Sequence, residues 1–125
     1  MNSRRPLLLL AALAVAIAPF AALAASAGEA ITDCVDLGSD QEIVRAGGGQ
    51  QFFLRNGDDH YRVLFQRTCD SITMTSRVEI STDGQPNRLC GAGTRVKTTR
   101  DTCRVGAVEA VTAEEFATRK KRASR

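Results

Sequence analysis

Gln50-Gln51-Phe52-Phe53-Leu54-Arg55-Asn56-Gly57-Asp58-Asp59-His60-Tyr61-Arg62-Val63-Leu64-Phe65 sets two short apolar runs around Asn56-Gly57-Asp58-Asp59 and holds four of the chain's six aromatic residues. Asn-Gly accepts the positive φ that a tight hairpin turn demands, so the runs are expected to pair as antiparallel strands. Period two puts Phe52 and Leu54 on one face of the first strand, and Tyr61, Val63 and Phe65 on one face of the second. A small β-rich core is expected around this hairpin.

Upstream, Ala46-Gly47-Gly48-Gly49 reads as a turn. A phosphate-cradling glycine loop needs a helix after it and usually a lysine, whereas the strand pattern Gln-Gln-Phe-Phe-Leu follows here. Gln41 to Arg45, with Ile43 and Val44, is a short strand, and Gly28 to Asp40 an extended or irregular segment tied down by Cys34. Downstream, Ile72, Met74, Val78 and Ile80 alternate with polar residues apart from a lapse at Ser76, which predicts one half-buried strand or two with a bend. Thr82 to Asn87 is a turn or loop by composition. Thr94 to Thr98 and Cys103 to Val111 are further strands, with Gly106 marking a bulge. Thr112 and Glu115 fit a capping box that opens a helix over Ala113 to Arg122, anchored by Phe116. The fold class is therefore mainly β: a small antiparallel sheet or partly open barrel of about 5–6 short strands, with two disulfides and a short C-terminal helix.

The start of the chain sets the compartment. Arg4 and Arg5 precede an unbroken apolar run from Leu7 to Ala18, then Pro19, then Ala22-Leu23-Ala24 and Ala25-Ser26-Ala27. A basic start, an apolar segment and small residues at alternate positions are the pattern of a cleaved secretory signal. Residues 1–27 are expected to be that signal, cut after Ala27, with Ala24 the second choice. An uncleaved anchor would need about 20 apolar residues, and Pro19 with the alanine-rich end argues against one. Residues 28–112 then form a disulfide-stapled β domain, and 113–125 a short helix with a basic tail.

Removing the signal changes the charge. The whole chain has 17 basic and 14 acidic residues. Five of the basics (Arg119, Lys120, Lys121, Arg122 and Arg125) sit in the last seven positions, so a mildly acidic body carries a basic end. Such clusters attract nucleic acid, lipid phosphates or acidic proteins. Export argues against nucleic acid, which leaves an envelope protein or an anionic lipid surface as the expected partner of a monomeric periplasmic or secreted protein.

Cys34, Cys69, Cys90 and Cys103 all lie beyond the signal. In an oxidising compartment an even count reads as two disulfides, each worth roughly 2–4 kcal/mol. A zinc site would show paired Cys-x-x-Cys knuckles, which are absent from the sequence. The shorter loops favour Cys34–Cys69 and Cys90–Cys103, although strand geometry can instead join Cys69 to Cys90 or Cys103.

Cys34-Val35-Asp36-Leu37, the glycine-punctuated Phe-rich hairpin, Cys69, Arg88-Leu89-Cys90 and Cys103-Arg104-Val105-Gly106 occur in that order. This pattern, from Cys34 to Val108, resembles a family of small secreted proteobacterial proteins known only as a domain of unknown function. The resemblance implies export and disulfides and carries over no functional residue.

The chemistry-bearing residues are few. His60 is the only histidine and stands beside Asp58 and Asp59, but adjacent strand residues point to opposite faces, whereas a metal ligand set converges from separated positions. A polar turn is the expected reading. The sequence has no Gly-x-Ser-x-Gly, no His-Glu-x-x-His and no Cys-x-x-Cys. No enzymatic activity, cofactor or metal is expected. A non-enzymatic envelope interaction domain leads, ahead of a small inhibitor or immunity-like protein, and ahead of a hydrolase with an unrecognised site, which a concave cluster of His60 with several acids would favour. Deleting Arg119 to Arg125 is expected to shift stability by no more than about 0.5 kcal/mol. Unreduced, denatured protein should take up no alkylating reagent at its four cysteines, and uptake at two or four of them would overturn the stapled reading.

Overall fold

The computed structural model describes residues 28–75 and 77–124. The expected signal and its cleavage at Ala27, the lapse at Ser76, and Arg125 lie outside the described residues. Nine strands and one helix follow in order: β1 (Val35–Asp36), β2 (Gln41–Arg45), β3 (Gln51–Asn56), β4 (Asp59–Phe65), β5 (Glu79–Thr82), β6 (Gln85–Pro86), β7 (Arg88–Leu89), β8 (Thr94–Lys97), β9 (Thr102–Ala110) and α1 (Ala113–Ala123). Seven strands make one antiparallel sheet in the order β2-β3-β4-β9-β8-β5-β6, curled into a half-barrel, while β1 and β7 form a separate two-stranded ribbon. Mainly β architecture and a C-terminal helix are as the sequence implies. The extra strands are two-residue pieces, too short for any periodicity to reveal.

The Phe-rich hairpin forms with the expected faces inward, Leu54 opposite Tyr61 and Phe52 opposite Val63. Its loop is Gly57-Asp58, where glycine alone takes a positive φ of 59°, the arrangement of a turn with glycine at its first central position. Phe52, Leu54 and Val63 are fully buried in the main core, with Tyr61 nearly so. Phe53 points the other way and joins Val44 and Phe116 in a second cluster.

Strand β9 is the spine. Its first residues pair with β8 (Val96 opposite Cys103), and its later ones with β4 (Val63 opposite Val108, Phe65 opposite Val105). Between these, the register shifts at Leu64/Phe65 and leaves Gly106 as the extra residue. That bulge explains why Val105 and Val108, three apart, both enter the core: one inserted residue moves the alternation on by one. A Cβ on Gly106 would sit 3.3 Å from the backbone of Gln66. The sequence reading of a bulge there holds.

One local expectation fails. The alternating stretch from Ile72 to Ile80 is not one strand: Asp70–Thr73 is a 3₁₀ turn and only Glu79–Thr82 is strand. Ile72 is buried whereas Met74 is 62% exposed. Arg45 donates from Nε to the Ile72 carbonyl at 2.8 Å and from Nη2 to the Thr75 carbonyl, satisfying oxygens that a ladder would otherwise have to pair. Tertiary contacts override β propensity here. Thr82 to Asn87 holds the expected turn, flanked by short paired strands. Asp83 and Gly84 take φ of 51° and 76° in a two-residue hairpin turn that pairs Thr82 with Gln85.

The disulfides are Cys34–Cys90 and Cys69–Cys103, not Cys34–Cys69 and Cys90–Cys103. Pairing of Val35 with Leu89 in the β1–β7 ribbon sets the preceding Cys34 opposite the following Cys90. The end of β4 lies against the start of β9 through Gln66 N–H donating to the Arg104 carbonyl at 3.0 Å, which carries Cys69 to Cys103. The preference for short loops misleads because closure entropy grows only with the logarithm of loop length, about 0.6 kcal/mol per doubling. Sheet pairing decides the partners. In the chain-entropy account, loops of 56 and 34 residues are each worth about 4 kcal/mol.

The buried threonine hydroxyls are matched. The Thr94 hydroxyl accepts from the Cys90 N–H at 2.8 Å and lies 2.8 Å from the Thr82 hydroxyl, closing the end of the β5–β8 leaf. Gly91 passes so close to the opening segment that a Cβ there would meet the Ile31 carbonyl oxygen at 2.6 Å. Gly91→Ala should therefore lower stability by about 1–3 kcal/mol, read as a drop in denaturant midpoint. Gly38→Ala, whose Cβ meets nothing nearer than 3.8 Å, should stay within about 0.5 kcal/mol of the parent.

Candidate functional site

The basic C-terminal end is part of a helix packed on the sheet. Thr112 caps α1 by accepting from Glu115 N–H at 3.0 Å, as the capping pattern implies. Phe116, 4% exposed, seats the helix on Val44 and Phe53 across the outer face of β2–β4. Arg119 lies over the Phe53 ring at 5.3 Å from its centre, and Lys120 Nζ meets Glu42 Oε1 at 2.6 Å. These two basic residues hold the helix to the body, so deleting Arg119 to Arg125 removes contacts and nearly half of α1 as well as charge. Lys121 and Arg122 are exposed in the last turn. Among the described residues they make no ion pair.

Glu42 joins a small network. It pairs with Lys120 and, at 3.5 Å, with Arg55, which also reaches Asp40 at 3.0 Å. The hydrogen bond from Lys120 is the main reason its carboxyl titrates below the ordinary range; burial partly offsets it, and the charges of Lys120 and Arg55 add to the lowering.

His60 does not join Asp58 and Asp59 in a ligand set. It lies on the outer face, 5.1 Å from the Phe116 ring between centroids. No group of three His, Cys, Asp or Glu residues among the described residues is placed to hold a metal. Even so, Asp58, Asp59, His60 and Tyr61 line one side of an open recess of about 400 Å³, and Ile31, Asp33 and Val35 line the other. Sequence reading missed Asp33 and Tyr61. Asp33 reaches the hairpin only through the fold of the opening segment, stapled next door at Cys34–Cys90. Tyr61 is 7% exposed, and its phenol is pushed above its usual range first by burial and then by the charge of Asp59.

On the far leaf, Arg95 stands directly opposite Arg104, both exposed. Residues 60–108 carry eight basic and four acidic side chains, whereas residues 28–59 carry two and seven.

Comparison with known protein families, characterised proteins and solved structures finds no match for this chain. Two disulfides mark an oxidising compartment, and among the described residues no helix is long and apolar enough to cross a membrane.

The Glu42 network makes a pH prediction. A carboxyl whose folded pKa is depressed contributes stability that is present above its unfolded pKa and lost as pH falls through the folded value. Lys120→Ala should raise the Glu42 titration midpoint followed by side-chain NMR, and move this acid-induced loss to higher pH. At neutral pH, a partly exposed pair of this kind is worth only about 0.2–1 kcal/mol.

Proposed function

We propose that this protein is an exported, non-enzymatic domain of the cell envelope that docks to an anionic lipid surface through the C-terminal end of α1. The observation that carries this reading is the division of labour among the basic residues. Arg119 and Lys120 fasten the helix to Phe53 and Glu42, while Lys121 and Arg122 are turned to solvent. A pinned helix presents its charges without the entropy cost of ordering a loose tail. In this reading residues 1–27 direct the chain to the periplasm and are removed near Ala27, in keeping with the secreted four-cysteine pattern. The two disulfides then form there, and Arg125 adds to the contact. The domain works as a monomer, because a surface contact of this kind needs no second copy.

Each basic residue near an anionic membrane contributes about 1 kcal/mol. The test is co-sedimentation with vesicles of phosphatidylglycerol and phosphatidylethanolamine at low salt and near 1 M salt. The intact protein should sediment at low salt and be released at high salt, where screening shortens to about 3 Å. Lys121→Ala/Arg122→Ala should weaken partitioning roughly thirtyfold with unchanged stability. Equal binding by the double variant, or no binding of the intact protein at low salt, would overturn the reading.

A further inference from the structure

The recess at the hairpin tip is walled by three separate segments. The opening segment brings Ile31, Asp33 and Val35, the start of β4 brings Asp59 and Tyr61, and the turn into α1 brings Val111. Backbone bonds hold these walls: Ile31 N–H donates to Val108 at 2.9 Å, and Val111 N–H to His60 at 2.9 Å. The Cys34–Cys90 bond fixes the position next to Asp33.

Its charge is uncompensated. Asp33, Asp58 and Asp59 make no ion pair among the described residues, whereas Asp40, Glu42 and Glu109 all do. Every basic residue of the surrounding strands is committed elsewhere. Arg55 serves Asp40 and Glu42, Arg62 faces Glu109 at 3.7 Å, and Arg45 is spent on the carbonyls of Ile72 and Thr75. Lys120 is on Glu42. The helix start that borders the recess adds little positive field, because Glu114 and Glu115 occupy its first turn. Tyr61 is the second observation: more than nine-tenths buried, it lines the recess and makes no side-chain hydrogen bond to any described residue. Its hydroxyl is not sealed off, since Arg62 Nε is the one buried side-chain polar atom without a partner among the described residues, and so it is open to a group that enters the recess.

We propose that this recess binds an organic cation, an ammonium or guanidinium group carried on an apolar stem. The carboxylates of Asp33 and Asp59 would take the charged head, the Tyr61 hydroxyl would accept one of its protons, and Ile31, Val35 and Val111 would cover the stem. Charge-assisted hydrogen bonds of this kind are about twice as strong as neutral ones. An anion is rejected by the three carboxylates. A bare divalent ion lacks a converging ligand set among the described residues and would leave the apolar wall unused. About 400 Å³ is at the small end of ligand sites, room for a diamine or for one lysine or arginine side chain. The same chemistry can come from a free amine or from a side chain displayed by a partner protein. The site is independent of the basic helix end, which lies a helix length away, about 16 Å for eleven residues.

The test is a two-dimensional NMR titration of the oxidised protein with cadaverine, with N-acetyl-lysine methylamide, and with calcium chloride at matched ionic strength. Saturable shifts confined to Asp33, Asp59, Tyr61 and their neighbours are expected with the two organic probes. Tighter binding of cadaverine assigns the site to free amines, and tighter binding of the capped lysine to a displayed side chain. Asp33→Asn and Asp59→Asn, both exposed and so tolerated by the fold, should each weaken binding about tenfold. Tyr61→Phe should weaken it severalfold and leave the melting temperature close to the parent's. Absence of saturable shifts at millimolar probe, indifference to Asp33→Asn and Asp59→Asn, or equal affinity for calcium would overturn the proposal. None of these outcomes bears on vesicle docking, which Asp33→Asn should leave unchanged.

Discussion

The backbone ladder of β9 carries the rest of the structure. This nine-residue strand belongs to both leaves of the half-barrel, bonding β8 at its start and β4 along its later part. The opening segment adds to its other edge, where Gly28 N–H reaches the Ala110 carbonyl and Ile31 N–H the Val108 carbonyl. A strand so paired can serve two leaves only if it bends, and the bulge at Gly106 supplies the bend. It also resets which side chains face inward, so that Val105 and Val108 meet Phe65 and Val63. Cys103 then ties the same strand to the corner after β4.

Around this spine the energetics are those of a small domain with a limited core. Phe52, Phe53, Leu54 and Ile72 are wholly buried, each contributing roughly 1.5–3 kcal/mol by removal from water. The second leaf is thinner, with Ile80 and Val96 as its inward residues and threonines beside them. Those threonines are tolerated because their hydroxyls are matched: Thr94 with Thr82 and the Cys90 backbone, and Thr98 with Ser71 and Asp101. Each disulfide joins elements far apart in sequence, and so removes more freedom from the unfolded chain than a local bridge would. That is where a chain with so modest a core gains most from a covalent link.

Charge is distributed with the same economy. Basic residues near the first hairpin are used internally, on Glu42, Asp40 and Glu109 and on the carbonyls beside the 3₁₀ turn. What remains outward around that hairpin is a cationic helix end and, a helix length away, an acid-lined recess beside a largely buried tyrosine.

The amino-acid sequence by itself determined the features that depend on near neighbours. Asn56-Gly57 and the runs around it specified a hairpin and the faces of its strands, because a one-residue slip would turn Phe52, Leu54 and Val63 to solvent. Thr112 with Glu115 specified a helix start, and Gly106 a bulge, since each is a matter of one or two peptide units. What only the tertiary structure decided depends on distant strands. The cysteine partners follow from β1 meeting β7 and β4 meeting β9, and loop length varies too weakly in free energy to foretell them. The alternation from Ile72 to Ile80 became a 3₁₀ turn because Arg45, remote in the chain, was there to take its carbonyls. The recess needs Asp33 beside Asp59 and Tyr61, residues some 26 to 28 positions apart. No periodicity marks such a meeting, because it arises when three backbones converge at the end of a sheet.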